Sequence, residues 1–343
     1  MAGQSKIIAN NDADASHTQG TTFRNLAPEL QQMIFTEALC KPHVHFVTAQ
    51  RRDDKTHNKW TITILPVSKG HDRSGYRWLQ TLSTISHASS RAVRLATLEK
   101  DCLPFPGLRN HMDTSTDLVC IDFNRPKHKP EYGHWNAKNQ IRASPSHPSF
   151  NPEAVASKVG KVHKLAFTYH PRHASCSTRR NVFRCLPQKS KHRDWKICPE
   201  ELVGLLDCFQ NLEAVYIILL PGQKKEAKMR ANHYTKNFFA LSAAEREACG
   251  FEIFHDSKCP YIEVDSDPNS KLLTRTVHLG PNSQHEEAYK PELLDEIFEI
   301  LHDARKQYLE QASHTRGRHM SLEKRSRVSF KVLLHTNRKN ADI

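Results

Sequence analysis

The chain has 343 residues, a formal net charge of +13 and a pI near 9.3, with 38% hydrophobic and 25% charged residues. This length suits one large core with extensions, because a single core usually stops growing at about 250–300 residues. The basic balance favours acidic partners, such as nucleic acid, anionic membrane surfaces or acidic proteins, without choosing among them.

The N-terminus and the cysteines bear on location. Residues 1–21 lack a basic stretch followed by an apolar one, so we expect a disordered leader and no secretory signal. No segment approaches the ~18 uninterrupted apolar residues of a membrane helix. The nine cysteines are odd in number and scattered, and no CxxC occurs, which favours reduced thiols. We therefore expect an intracellular protein, nuclear or cytoplasmic, that does not span a membrane.

The N-terminal half of the chain predicts alternating helices and strands. In chain order, these are a helix at 26–40, a hairpin of strands at 43–48 and 60–67, a helix at 76–100 and a strand at 117–123. Pro28 suits the first turn of the first helix, in which Leu30, Met33 and Ile34 line one face. The Pro-rich stretch that follows, near 124–153, has the composition of a loop insertion.

The C-terminal half predicts a parallel unit and several short elements. Strands at 161–169 and 213–220 flank a basic loop insertion near 170–197 and a helix opened by Pro199, an order typical of parallel pairing. Ser242 and Glu245 form a capping box for a short helix that ends at Gly250. The other predicted elements are strands at 251–254, 261–264 and 274–279, a short strand at 328–334 and a helix beginning near Pro291. One face of that helix is predicted to be apolar, through Leu293, Leu294, Ile297, Ile300, Leu301, Ala304 and Tyr308.

Together these elements predict an α+β fold. It is a mixed sheet with packed helices, including one parallel strand–helix–strand unit, long basic loops and a basic C-terminal tail. We expect a main domain at 22–220, a C-terminal α/β extension at 221–312 packed on the main core, and the basic tail at 313–343.

The segment Phe23-Arg-Asn-Leu-Ala-Pro-Glu-Leu-Gln-Gln-Met-Ile, with the strand at 44–47 after it, resembles the opening of the fungal two-EXR family, named for two Glu-x-Arg motifs. Lys161-Val-His-Lys-Leu-Ala-Phe resembles a later strand of that family. The resemblance covers 22–220 and implies a fungal source with no established activity. Gln31 stands where the first motif has Arg and Ser89 where the second has Glu, whereas Arg91 keeps its motif position.

The first predicted helix also resembles the start of an F-box, a helical module that presents an apolar surface to a ubiquitin-ligase adaptor. The same spacing is typical of an ordinary core helix, and a structural ion pair is the alternative role for Arg91. The candidate residues, for partner binding or for a core helix, are Phe23, Leu26, Pro28, Glu29, Leu30, Ile34 and Arg91.

Two basic segments are candidates for nucleic-acid contact. The first, at 172–196, includes Phe183 and Trp195 as possible stacking groups. The second contains Lys324, Arg325 and Arg327, which also fit a short nuclear-localisation pattern. Neither segment lies in a known nucleic-acid-binding pattern, and charge runs are typical of solvated loops.

The sequence predicts no cofactor, metal or catalytic residue. His170, His173, Cys176 and Cys185 have the residue types of zinc ligands, but their spacing matches no common zinc module. The motifs GxGxxG, GxxxxGK[ST], GxSxG and HExxH are absent. The leading prediction is therefore a non-enzymatic protein-interaction module with an unknown protein partner. A nuclear protein associated with nucleic acid and an F-box-like adaptor are the alternatives.

Overall fold

The structure, a computed structural model, describes residues 25–39, 41–54, 59–66, 74–98, 112–121, 152–169, 205–220, 225–267, 270–280, 283–288, 294–314 and 321–336. Its helices are α1 (Pro28–Leu39), α2 (Tyr76–Ile85), α3 (His87–Leu98), α4 (Pro152–Val159), α5 (Lys225–Ala240), α6 (Ala243–Cys249), α7 (Leu294–His314) and α8 (Leu322–Arg327). Among the described residues, no helix has both the length and the apolar character needed to cross a membrane.

The strands are β1 (Val44–Asp54), β2 (Lys59–Pro66), β3 (Leu118–Ile121), β4 (Lys164–Tyr169), β5 (Ala214–Leu219), β6 (Ile253–His255), β7 (Pro260–Glu263), β8 (Thr274–Gly280), β9 (Ser283–Ala288) and β10 (Ser329–His335). Within the described ranges, eight of them form one sheet in the order β2-β1-β3-β4-β5-β10-β7-β6, and β8 pairs with β9. The predicted α+β class is confirmed, as are the β1–β2 hairpin and the parallel pairing of β4 with β5.

The sheet curls until β6, at one edge, approaches the start of β1, the second strand from the other edge. The backbone N–H of His255, at the end of β6, donates to the carbonyl of Pro42 at 2.9 Å, and His43 forms a parallel bridge with His255. Phe46 on β1 also contacts Tyr261 on β7, with ring centroids 6.3 Å apart. Strands β1, β3, β4, β5, β10, β7 and β6 therefore form a partly closed barrel, with β2 outside it.

The central strands are buried on both faces. On β5, Ala214 and Tyr216 belong to the apolar cluster inside the barrel, whereas Val215 and Ile217 pack outward beneath helices. Helix α4 and the turn at 205–212 cover one part of the outside, and α5 and α7 cover another. Because both sides are covered, β5 reads in the sequence as a continuous apolar run.

Two helix predictions are confirmed in detail. The Ser242 hydroxyl accepts a hydrogen bond from the N–H of Glu245, whose carboxylate accepts one from the N–H of Ser242. Gly250 ends α6 with φ 65°, a conformation that favours glycine. The predicted apolar face of α7 is buried through Leu294, Ile297, Leu301, Ala304 and Tyr308.

The helix predicted at 76–100 is corrected to two helices. Ser86 has an extended backbone, with φ −157°, and ends α2. Its hydroxyl accepts from the N–H of Ser89 at 3.1 Å, while the Ser89 hydroxyl accepts from the N–H of Ser86 at 3.0 Å. This reciprocal pair caps the start of α3 as a capping box does. The serine-rich middle thus marks a helix boundary.

Part of the segment predicted as a basic tail lies in the sheet. The short strand expected there is β10, which pairs with β5 along one side and with β7 along the other. Val332, Leu333 and Leu334 are buried. Strands β6 and β7, which were assigned to an extension packed on the main core, lie in the same sheet. Pairing between residues more than a hundred positions apart leaves no local signal in the sequence.

A buried ion pair holds α8 in front of β10. Arg325 is 1% exposed, and its Nη2 lies 2.7 Å from Oδ1 of Asp207. Its Nη1 donates to the carbonyl of Tyr308 at 3.1 Å, and the guanidinium stands 4.9 Å from the centre of the Tyr308 ring. Arg325 therefore ties α8 to α7 and to the turn before β5.

We predict that a chain ending at residue 320 does not fold cooperatively. It lacks β10, so β5 and β7 lose their shared partner and the barrel cannot close. Thermal unfolding followed by circular dichroism should show no sigmoidal transition, whereas a chain ending at residue 336 should retain one. A cooperative transition in the shorter chain would contradict the central role of β10.

We predict that acid weakens the barrel at the seam between β6 and β1. Burial lowers the pKa of His255 from 6.5 to about 4, with Lys41 adding to the shift and Asp256 opposing it. The unfolded chain therefore takes up a proton more readily than the folded one. The free energy of unfolding is therefore highest above pH ~6.5. It falls by up to about 3 kcal/mol as the pH decreases towards ~4.

Chemical denaturation at several pH values checks this prediction, with His255→Gln as the comparison. The variant cannot titrate at this position, so its free energy of unfolding should fall less steeply between pH 6.5 and pH 4. Equal pH slopes for the two proteins would mean that His255 does not control acid stability.

Candidate interaction surface

Helix α1 packs into the protein through one face. Phe35 and Leu39 are buried and belong to an apolar cluster with side chains of α2 and α3. The other buried members of this cluster are Leu79, Leu82, Ala92 and Val93. Helices α1, α2 and α3 therefore share a small core of their own, which we call the three-helix unit.

The opposite face of α1 is apolar as well, but it is exposed. Leu30, Met33 and Ile34 have exposed fractions of 47%, 66% and 47%. Their spacing of three and four residues places them on one side of the helix, away from Phe35 and Leu39. We call Leu30, Met33 and Ile34 the outer face of α1. The apolar stripe predicted for α1 is present, but it forms the exposed face of the helix. The face that packs into the core is formed by Phe35 and Leu39.

The start of α1 is held by local hydrogen bonds. The backbone N–H of Gln31 donates to the carbonyl of Ala27 at 3.0 Å, and its side-chain amide donates to the carbonyl of Leu26 at 2.9 Å. Leu26 is half-buried, whereas Pro28 and Glu29 are exposed. Phe23 lies outside the described residues. The candidate residues at the helix start thus flank the outer face instead of filling a core.

The three-helix unit is anchored to the barrel just before α2. The N–H of Gly75 donates to the carbonyl of Val44 at 2.8 Å, and the Ser74 hydroxyl accepts from the N–H of Phe46 at 2.8 Å. A Cβ atom at position 75 would lie 2.4 Å from the Cβ of His43, so only glycine fits this close approach. The anchor fixes α2, which packs against α3, and α3 in turn packs against α1.

A buried carboxylate organises the same end of the barrel. Asp117 accepts hydrogen bonds from the backbone N–H groups of His43 and Asp113, both at 2.8 Å. Its second oxygen also lies 2.9 Å from Nε2 of His45, whose ring stacks on that of Tyr76 at the start of α2. Asp117 therefore links β1 and β3 to the base of the three-helix unit.

The departures from the two-EXR motifs have local structural roles. Gln31 bonds to the carbonyl of Leu26, and the buried Ser89 caps α3. Arg91 is exposed, and it forms no ion pair with the residues that the structure describes. The structural ion pair expected for Arg91 is therefore not found among the described residues.

The residues expected to contact nucleic acid divide into two kinds. Lys324 and Arg327 are exposed, and Arg327 pairs with Glu323 one turn before it. Arg325 is buried against Asp207 and Tyr308 and is corrected from a surface contact to a core anchor. The other basic segment, at 172–196, lies outside the described residues.

A charged cluster inside the barrel was not predicted. Glu252 accepts hydrogen bonds from the Lys164 ammonium and the Tyr216 hydroxyl, while Lys331 donates to Glu263 at 3.0 Å. Burial raises the pKa of the Glu263 carboxyl, and Lys331 opposes that shift. Since the two ammonium groups balance the two carboxylates, we assign the cluster a structural role. Lysine at inward positions of apolar strands was the signal available in the sequence.

A metal site finds no support among the described residues, since no group of His, Cys, Asp and Glu there has a metal-binding arrangement. His170, His173, Cys176 and Cys185 lie outside them. Comparisons of the chain with protein-family models, with curated proteins and with solved structures found no match. The two-EXR and F-box resemblances therefore stay predictions from the sequence.

We predict that Arg325→Ala lowers the free energy of unfolding by about 3–5 kcal/mol, because it leaves Asp207 buried without its cation. Lys324→Ala, its exposed neighbour, should change stability by less than about 0.5 kcal/mol. Denaturant unfolding monitored by tryptophan fluorescence measures both values. Equal, small effects would place Arg325 at the surface and restore it as a candidate for nucleic-acid contact.

Proposed function

We propose that the protein is a non-enzymatic interaction module that binds a protein partner through the outer face of α1. The observation that carries this proposal is a helix apolar on two opposite sides, of which only one is covered. Helices that are apolar all round are normally buried. Three apolar side chains on adjacent turns form a patch, unlike the isolated exposed residues that are normal on a protein surface.

The expected gain from covering this face is moderate. Full burial of a Leu, Ile or Met side chain contributes about 1.5–3 kcal/mol relative to exposure. Leu30, Met33 and Ile34 are already partly covered, so a partner would gain roughly 2–4 kcal/mol from them. Association has its own entropic cost, so tight binding requires further contacts around this central patch.

We predict that Met33→Ser/Ile34→Ser removes the partner without unfolding the protein, because both side chains are exposed. Affinity purification of the full chain with quantitative mass spectrometry should show specific proteins lost from the variant. Its melting temperature should remain close to that of the wild type.

Met229→Ser provides a matched control, since Met229 is 48% exposed on α5, away from the three-helix unit. This control should retain all partners. If the double variant keeps the same partners as the wild type and the control, the outer face of α1 is not the binding surface.

A second candidate function is F-box-like adaptor capture. It is favoured by the three-helix unit, in which α1 begins within the Leu-Ala-Pro-Glu-Leu segment and leaves Leu30 exposed. It requires co-purification of the ubiquitin-ligase adaptor, with loss of that contact when Leu26 and Leu30 become polar. Absence of the adaptor from the partners that depend on Met33 and Ile34 would rule it out.

We also propose membership of the two-EXR family and an intracellular location, in the nucleus or the cytoplasm. The family proposal is supported by the order of α1, β1, α3 and β4, which matches the order of the motifs. The location proposal rests on the odd number and scattered positions of the cysteines. Fluorescence microscopy of the tagged full chain tests the location directly.

A further inference from the structure

We infer that the partner docks on α1 with an amphipathic helix that carries a basic residue opposite Glu37. This inference rests on the proposed function and names the chemistry of the partner. It follows from the shape of the outer face, from the charge at its end and from the position of that charge on α1.

The outer face has the shape of a short helical ridge. Leu30, Met33, Ile34 and Glu37 follow one another at spacings of three and four residues, so they lie on one side of α1 over about 10 Å. A straight ridge of this kind fits the groove between side-chain rows of a second helix. Apolar residues at helical spacing are also how a docked amphipathic helix is recognised.

The ridge ends in a negative charge. Glu37 is exposed, and it forms no ion pair with the residues that the structure describes. It lies in the last turn of α1, where no basic residue is present and where the carbonyl ends of the helix already place partial negative charge. A cation from a partner would therefore interact favourably with both the carboxylate and the helix end.

This local charge is opposite to that of the whole protein. The chain has a formal net charge of +13, so general electrostatic attraction favours an acidic partner. The carboxylate on the ridge favours a basic one. Since charges more than about 8 Å apart are largely screened at physiological ionic strength, the local contact should decide the preference of a docked helix.

The experiment compares two fluorescein-labelled amphipathic peptides with the same Leu-rich apolar face. One peptide has Lys and the other Glu on its polar face. Fluorescence anisotropy with the full chain at physiological ionic strength should show tighter binding of the Lys peptide, by about two- to fivefold. Binding of neither peptide, equal binding, or tighter binding of the Glu peptide overturns the inference.

Two variants of Glu37 test whether the preference comes from this residue. Glu37→Gln should abolish it and Glu37→Lys should reverse it, and neither change should unfold a helix whose last turn gains by losing a negative charge. Glu299→Lys is the matched control, because Glu299 is exposed on α7. The Glu299→Lys protein should keep the wild-type preference for the Lys peptide. Loss of that preference in this control would overturn the inference.

Failure of this inference is distinguishable from failure of the proposed function. If Met33→Ser/Ile34→Ser loses its partner proteins but the wild type shows no preference for the Lys peptide, the function stands and the inference falls. If the double variant keeps every partner, the proposed function is contradicted, and the inference that rests on it is contradicted with it. Sedimentation that shows a wild-type dimer dissociated by the double variant would assign the face to a second copy of this chain and overturn the inference.

Discussion

The pairing of β10 with β5 on one side and β7 on the other is the constraint on which this structure depends. It joins the parallel strands β1, β3, β4 and β5 to the β6–β7 pair, and only then can His255 reach His43 and close the ring. The Arg325–Asp207 ion pair places α8 so that β10 enters between its two neighbours. The barrel is therefore complete only when β10, at 329–335, is paired with both of its neighbours.

The barrel in turn determines where the three-helix unit lies. Asp117 holds the starts of β1 and β3 together, and Ser74 and Gly75 connect that end to α2. Helix α1 then packs against α3, and its Phe35 and Leu39 belong to the apolar cluster that the three helices share. Its outer face is left exposed because no other described element lies over it. A helix that is already held in place suits a docking surface, because a partner does not have to order it on binding and the entropic cost of association is smaller.

Charge has different meanings in different parts of the protein. Lys164 and Lys331 form ion pairs with glutamates inside the barrel, and Arg325 is buried in an ion pair with Asp207. Glu37, by contrast, is exposed on the helix that carries the apolar patch. The net charge of the sequence is therefore a poor guide to the chemistry of the partner, because binding depends on the charges that remain at the surface where contact occurs.

The sequence by itself determined features that depend on neighbouring residues. These include the place of Pro28 in the first turn of α1, the capping box of α6, most strands and the apolar stripes of α1 and α7. Only the tertiary structure decided the insertion of β10, the burial of Arg325 and the covered side of α1. Helix starts and turns are made by contacts within about four residues. Strand order and burial depend on segments far apart in the chain, and periodicity reveals an apolar stripe without showing what covers it.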